Sequence, residues 1–293
     1  MSWISNLWDK VKYTFIKEPK YNGCIKDPKD DRDHIKDTSD LVLAKSSAML
    51  DFSLREFCPP VVDQGQASSC TGFASAYAMY ILVSRMEKLS GFAYISVPRF
   101  SANWNYYHSR LIDNENSLNP DPQFYKTDGG ATLRSTMKSL KKYGVIPHAG
   151  YISSVTSPLP NTLIGAENSS FKIKEYLSIP NGFSIDTLDT VQKVLAVEQL
   201  PILGCIYFYR EQLSEANYRG LLRRVEEGTP KHLYGAHAIC ITGYKWMEGK
   251  LWIEFINSYG KSWGKSGYGY FEAEMLDDTS YIQSLWTFDK GYF

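Results

Sequence analysis

Cys70, His237, Asn257 and Gln64 are the side chains whose types and order in this sequence could do covalent chemistry. Gln64 lies just upstream in Gln64-Gly65-Gln66-Ala67-Ser68-Ser69-Cys70, and an apolar run over residues 73–86 follows at once. A thiol reacts as its thiolate, so a nucleophilic cysteine needs a setting that favours negative charge. The unpaired N–H groups and dipole of a helix N-terminus supply one, with Ser68 or Ser69 available as the cap. Alone, Cys70 reads as a small packed hydrophobe, the commoner fate of a cysteine. Its company changes that reading. A histidine and an asparagine downstream and an amide donor upstream complete the parts of an acyl-transfer site.

The elements that must position these groups are legible around them. Residues 73–83 are apolar nearly all round, the pattern of a buried helix that would hold its first residue still. His237 sits in Ala236-His237-Ala238-Ile239-Cys240-Ile241-Thr242-Gly243, which reads as a buried strand ending at a glycine turn. Small neighbours leave the imidazole room to reach a thiol, although a core histidine satisfied by one hydrogen bond is the plain alternative. Asn257 ends a second apolar strand over residues 251–256 and precedes a Gly/Ser/Trp loop. Its carbonyl can accept from one ring nitrogen and leave the other for the cysteine. Asn-Ser before a glycine loop is otherwise only a turn.

In these blocks the chain resembles the papain-like (C1) cysteine peptidases, especially their compact microbial members. Cys58-Pro59-Pro60-Val61-Val62-Asp63-Gln64-Gly65-Gln66 resembles the family's opening strand and oxyanion-hole glutamine. Asp128-Gly129-Gly130-Ala131 resembles its glycine substrate edge, and Asn257-Ser258-Tyr259-Gly260 with Trp263-Gly264 its Asn-Ser-Trp-Gly block. The resemblance covers about residues 50 to 275. It implies that Cys70 is the nucleophile, His237 the base, Asn257 its orienter and Gln64 the oxyanion donor. Gly129, Gly130, Ala236, Ser68, Tyr259 and Trp263 would border a peptide or protein substrate, with no metal or cofactor.

Departures from the family pattern stand beside the matches. The usual C-G-S-C-W/Y signature, with histidine and asparagine about 130–150 residues on, is here Ala67-Ser68-Ser69-Cys70-Thr71 with a longer separation. Insertions are expected at residues 103–127 and 210–231. Tyr259 replaces a tryptophan and should still shield the His–Asn bond. Ser68 replaces a glycine and could narrow the cleft.

The chain has 293 residues, 43% of them hydrophobic, with zero formal net charge. That suits a two-lobed α+β fold of papain type, a helical lobe over residues 66–165 and a β-barrel-like antiparallel lobe over 166–293. Residues 54–62 are expected to be a strand of the second lobe. Residues 51–293 form the peptidase domain and 1–50 an N-terminal extension. Zero net charge gives no pull towards nucleic acid. Five cysteines without disulfide-framework or CxxC spacing suit reduced thiols and cytoplasmic synthesis. No signal peptide or membrane span is read, while a virus particle or non-classical export stays open as a destination. Trp3, Ile4, Leu7, Trp8, Val11 and Phe15 form an amphipathic stripe for the chain's own body, a protein partner or a membrane surface. Residues 26–33 read as a solvated linker of mixed charge. The rival readings are a papain-like fold kept for binding or assembly, and a Cys/His amidase of peptidoglycan.

Overall fold

The computed structural model describes residues 22–43, 51–90, 97–148, 155–157, 163, 166, 170–182 and 186–289. The apolar run after Ser69 becomes a twenty-residue helix, α1 (Cys70–Leu89), whose first half is buried on almost every face. Ser101 opens α2 (Ala102–Glu115) by accepting from the Trp104 N–H, and Thr132 opens α3 (Leu133–Lys142) in the same way through Ser135. These three helices pack on one another and form the first lobe. Two short helices follow: α4 (Thr187–Lys193), which runs on into a π turn, and α5 (Leu213–Arg219).

The second lobe is an eight-stranded sheet. Its path runs from β4 (Tyr176–Ile179) through β10 (Ile282–Phe288), β5 (Ile202–Tyr209), β7 (Leu233–Met247), β8 (Lys250–Ile256) and β9 (Tyr268–Glu272) to β6 (Leu221–Leu222). The eighth strand, β2 (Phe52–Ser53), pairs beside that path on β7. All pairings are antiparallel except β6 with β9. The path does not close among the described residues, so the barrel-like lobe expected from sequence is an open mixed sheet. One apolar cluster runs from α1 and α3 into β5, β7 and β8, which fixes the helix that carries Cys70 against the strand that carries His237.

Two other expectations change, and the two stretches read as insertions take regular structure. Residues 54–62 do not continue as a strand: a 3-10 turn (Arg55–Phe57) follows β2, and Pro59 and Pro60 have no N–H to give a ladder. The stretch 103–127 is largely α2, with Trp104 and Tyr106 in the interior, and 210–231 folds as a 3-10 turn, α5 and β6. Within the charged run 26–33, Asp27 and Asp33 dock on the body, while Lys29, Asp31 and Arg32 stand in solvent. Asp27 accepts from the Arg134 backbone N–H (3.0 Å) and the Trp286 indole N–H (2.8 Å). Asp33 pairs with the Arg134 guanidinium, and Lys36 Nζ lies 2.8 Å from Glu198. The stripe from Trp3 to Phe15 lies outside the described residues.

Candidate functional site

Cys70 is the first residue of α1 and fully buried. Ser69 stands at the N-cap without a side-chain capping bond, and Ser68 contributes its backbone N–H to Asp128 (2.8 Å), so the expected serine cap does not form. The N–H groups that reach the sulfur are those of Ala238 on β7, at 3.4 Å, Thr71 and Cys70 itself. They favour a thiolate, but burial outweighs them and pushes the thiol up to about 12.

His237 comes from β7, opposite Ile206 of β5, with Ala238 opposite Cys205. Its Nε2 lies 2.8 Å from Asn257 Oδ1, and that oxygen also accepts the Ser258 backbone N–H at 2.7 Å. Two donors on one atom fix the carboxamide's orientation and assign the ring proton to Nε2. Tyr259 stacks on the imidazole, with centroids 4.5 Å apart and planes 23° apart, so it shields the bond as the sequence implied. Its hydroxyl also lies 2.8 Å from His237 Nδ1. Burial lowers the ring's pKa to about 4, against the opposing bond to Asn257. Thiol and imidazole therefore rest in their neutral forms.

Gln64 is held at both ends of its amide. Ser258 donates its hydroxyl to Oε1, and Nε2 donates to the Ala67 carbonyl at 2.7 Å. The bridge between Asp63 and Tyr259, with Gln64 N–H to Ser258 O at 2.8 Å, locks this loop to the Asn257 loop. Trp263 is buried, donating its indole N–H to Asn217 (2.9 Å) and setting its edge against Tyr259. It props up Tyr259 and does not face an open surface. Ala236 is half-buried opposite Tyr207.

The glycine edge is occupied by the chain itself. The strand β1 (Cys24–Ile25) runs parallel to β3 (Ala131–Thr132), and Ala131 N–H donates to Gly23 O at 3.1 Å. A Cβ on Gly23 would meet Ser68 O at 2.4 Å and Cys70 Sγ at 2.7 Å, so this backbone lies directly over the thiol. A Cβ on Gly130, whose φ is +84°, would in turn meet Gly23 O at 2.7 Å. Gly129 stays exposed with open space around it. The buried Cys24 thiol on this strap meets Cys205, and burial raises its pKa.

Sequence reasoning missed four contributors. Asp128 takes Ser68 N–H and, at 2.7 Å, the Tyr106 hydroxyl, which itself accepts Gly130 N–H at 3.0 Å. That chain ties the segment before Cys70 to the glycine edge. Asp128 adjoins the glycine pair and could have been suspected, but Tyr106 lay in a supposed insertion. Arg134 and the Ala238 N–H act through contacts that no local pattern announces.

No protein-family model matches the chain. An uncharacterised peptidase C1-like protein of Acanthamoeba polyphaga mimivirus is 23% identical over 230 residues, 77% of this chain and 68% of that protein. The crystal structure of xylellain, a cysteine protease from Xylella fastidiosa, superposes with a TM-score of 0.69 at 21% identity, over 94% of this chain and 98% of that one. Digestive procathepsin L2 from the larval midgut of Tenebrio molitor gives 0.62 at 16% identity, over 97% and 88%. The chain thus has the fold of these papain-like cysteine proteases and a distant likeness in sequence to a peptidase C1-like protein.

Proposed function

We propose that the chain is a cysteine peptidase that hydrolyses peptide bonds through Cys70, His237, Asn257 and Gln64, and that residues 22–25 hold it closed at rest. The observation that carries the reading is the His237–Asn257 bond at 2.8 Å on a strand whose next N–H, from Ala238, meets the Cys70 sulfur. With the strap withdrawn, a peptide carbonyl takes the place of Gly23. Cys70 passes its proton to His237, and the sulfur attacks the carbonyl carbon. The Cys70 N–H and the Gln64 N–H that Ala67 does not engage hold the oxyanion. His237 then protonates the leaving amine and draws a proton from the water that hydrolyses the thioester.

An epoxide thiol-protease probe, applied to the full chain with digestion and mass mapping, tests this. Modification confined to Cys70, with hydrolysis of a denatured protein substrate lost in Cys70→Ala, is the expected result. Modification spread over Cys24, Cys58, Cys205 and Cys240, or hydrolysis that survives Cys70→Ala, overturns it.

A further inference from the structure

Three of the five cysteines gather where the strap crosses the site. Gly23 turns its side-chain position towards Cys70, since a Cβ there would meet the sulfur at 2.7 Å. Successive side chains of an extended segment alternate in direction. Cys24 therefore points the other way, towards β5, and its thiol meets that of Cys205. Cys205 stands opposite Ala238, whose N–H reaches the Cys70 sulfur at 3.4 Å. Both thiols are buried and free. Two packed thiols are otherwise small hydrophobes. What sets this pair apart is that one partner rides on the segment that must leave for Cys70 to act, while the other belongs to the sheet that stays.

We propose that Cys24 and Cys205 are a redox latch: a disulfide between them, made by exchange with a small-molecule disulfide of the glutathione type, fastens the strap over Cys70 until a small thiol reopens it. The inference rests on the closed resting form in the peptidase reading above. The docked pair reacts slowly, because burial keeps the Cys24 thiol protonated and out of solvent. Oxidation therefore begins when the strap lifts. The Cys24 thiolate attacks one sulfur of the small disulfide, which forms a mixed disulfide and releases one small thiolate. As the strap redocks, Cys205 gives up its proton, its sulfur attacks the Cys24 sulfur, and the second small thiolate leaves. Two protein thiols are oxidised by two electrons in all, and one small disulfide becomes two thiols. Excess small thiol runs the same exchange backwards. The chain is thus held shut in an oxidising compartment and free to open in a reducing one.

The test uses the full chain as wild type, Cys24→Ala, Cys205→Ala and Cys70→Ala, each held in excess oxidised or reduced glutathione. Non-reducing digestion with mass mapping reads which cysteines are linked, and hydrogen exchange reads the opening of the strap amides at residues 23–25. In oxidised wild type and oxidised Cys70→Ala, one linked peptide joining Cys24 to Cys205 is expected. Exchange of the strap amides should slow by about 10-fold or more, because the undocked population falls. Reduced glutathione should reverse both changes, and neither should occur in Cys24→Ala or Cys205→Ala. The link is read in wild type itself, so a variant that fails to fold leaves the mapping decisive. Absence of the Cys24–Cys205 peptide, a link at another pair such as Cys58 with Cys240, or a link that leaves strap exchange unchanged overturns the proposal. Hydrolysis that survives Cys70→Ala in the reduced chain instead sinks the peptidase reading, while the mapping in that same variant still decides the latch.

Discussion

Replacing Gly23 by alanine should open the cleft. The new Cβ would stand 2.4 Å from the Ser68 carbonyl oxygen and 2.7 Å from the Cys70 sulfur. Neither partner is the far end of a flexible side chain, since Ser68 is tied to Asp128 and Cys70 is locked at the start of α1. Overpacking of this kind costs about 1–3 kcal/mol, and two rigid partners place it at about 2–3. Alanine also stiffens the released chain, which returns roughly 0.4–1 kcal/mol to the docked form. The balance, roughly 1–2.5 kcal/mol, raises the population with the strap undocked by about 5–70-fold. The assay is the second-order rate of Cys70 inactivation by the epoxide probe, measured on Gly23→Ala and wild type with unfolding curves beside it. Faster inactivation by at least the lower bound, with the fold retained, is expected. An equal or slower rate would refute the reasoning, because it would mean that the backbone over the thiol does not limit access to it.

The anchors of the strap should act in the same direction. Lys36→Ala removes the cation that lies against buried Glu198, and breaking a buried pair costs up to about 3–5 kcal/mol; urea titration should show the loss, and probe labelling of Cys70 should quicken. Gln64→Ala should lower kcat by about 10²–10³ in a Gly23→Ala background, the range for one oxyanion donor, and an unchanged kcat would remove Gln64 from that role. Burial drops His237 from 6.5 to about 4, so between those values the unfolded chain holds a proton that the folded chain lacks. The contribution is fully present above about pH 6.5 and fades as pH falls towards 4, by about 3 kcal/mol. Denaturation midpoints across that window should fall with pH in wild type and flatten in His237→Gln; an identical slope in both would refute the assignment.

What sequence made legible here was whatever depended on local pattern. Helix α1 could be read because residues 73–83 are apolar on nearly every side, and β8 because a mostly apolar run, broken only by Glu254, ends at Asn257. Strand β7 was recognised but underestimated: its buried centre, residues 237–244, carries the signal, while its more exposed flanks, residues 233–236 and 245–247, carry none. The pairing of His237 with Asn257 was inferable from residue types and order alone. The lock on the asparagine loop was not, since it depends on the bridge from Asp63 to Tyr259.

Charge shows the limit most clearly. A run such as Lys26-Asp27-Pro28-Lys29-Asp30-Asp31-Arg32-Asp33 is locally indistinguishable from a solvated linker, and Asp30 with Arg32 does form an exposed local pair. Asp27, Asp33 and Lys36 differ only in where their partners lie, at Arg134, Trp286 and Glu198, each more than a hundred positions away. Burying Asp27 raises its pKa through desolvation, and the Arg134 and Trp286 donors offset that cost. Such burial persists only if the docked segment gains something in return. Here the gain is the strand pairing of β1 with β3 and the packing of Cys24, both of which require Gly23 to cross the thiol. The strap is therefore set by long-range pairing, and its place over Cys70 follows from the same contacts that make its charges unreadable as sequence.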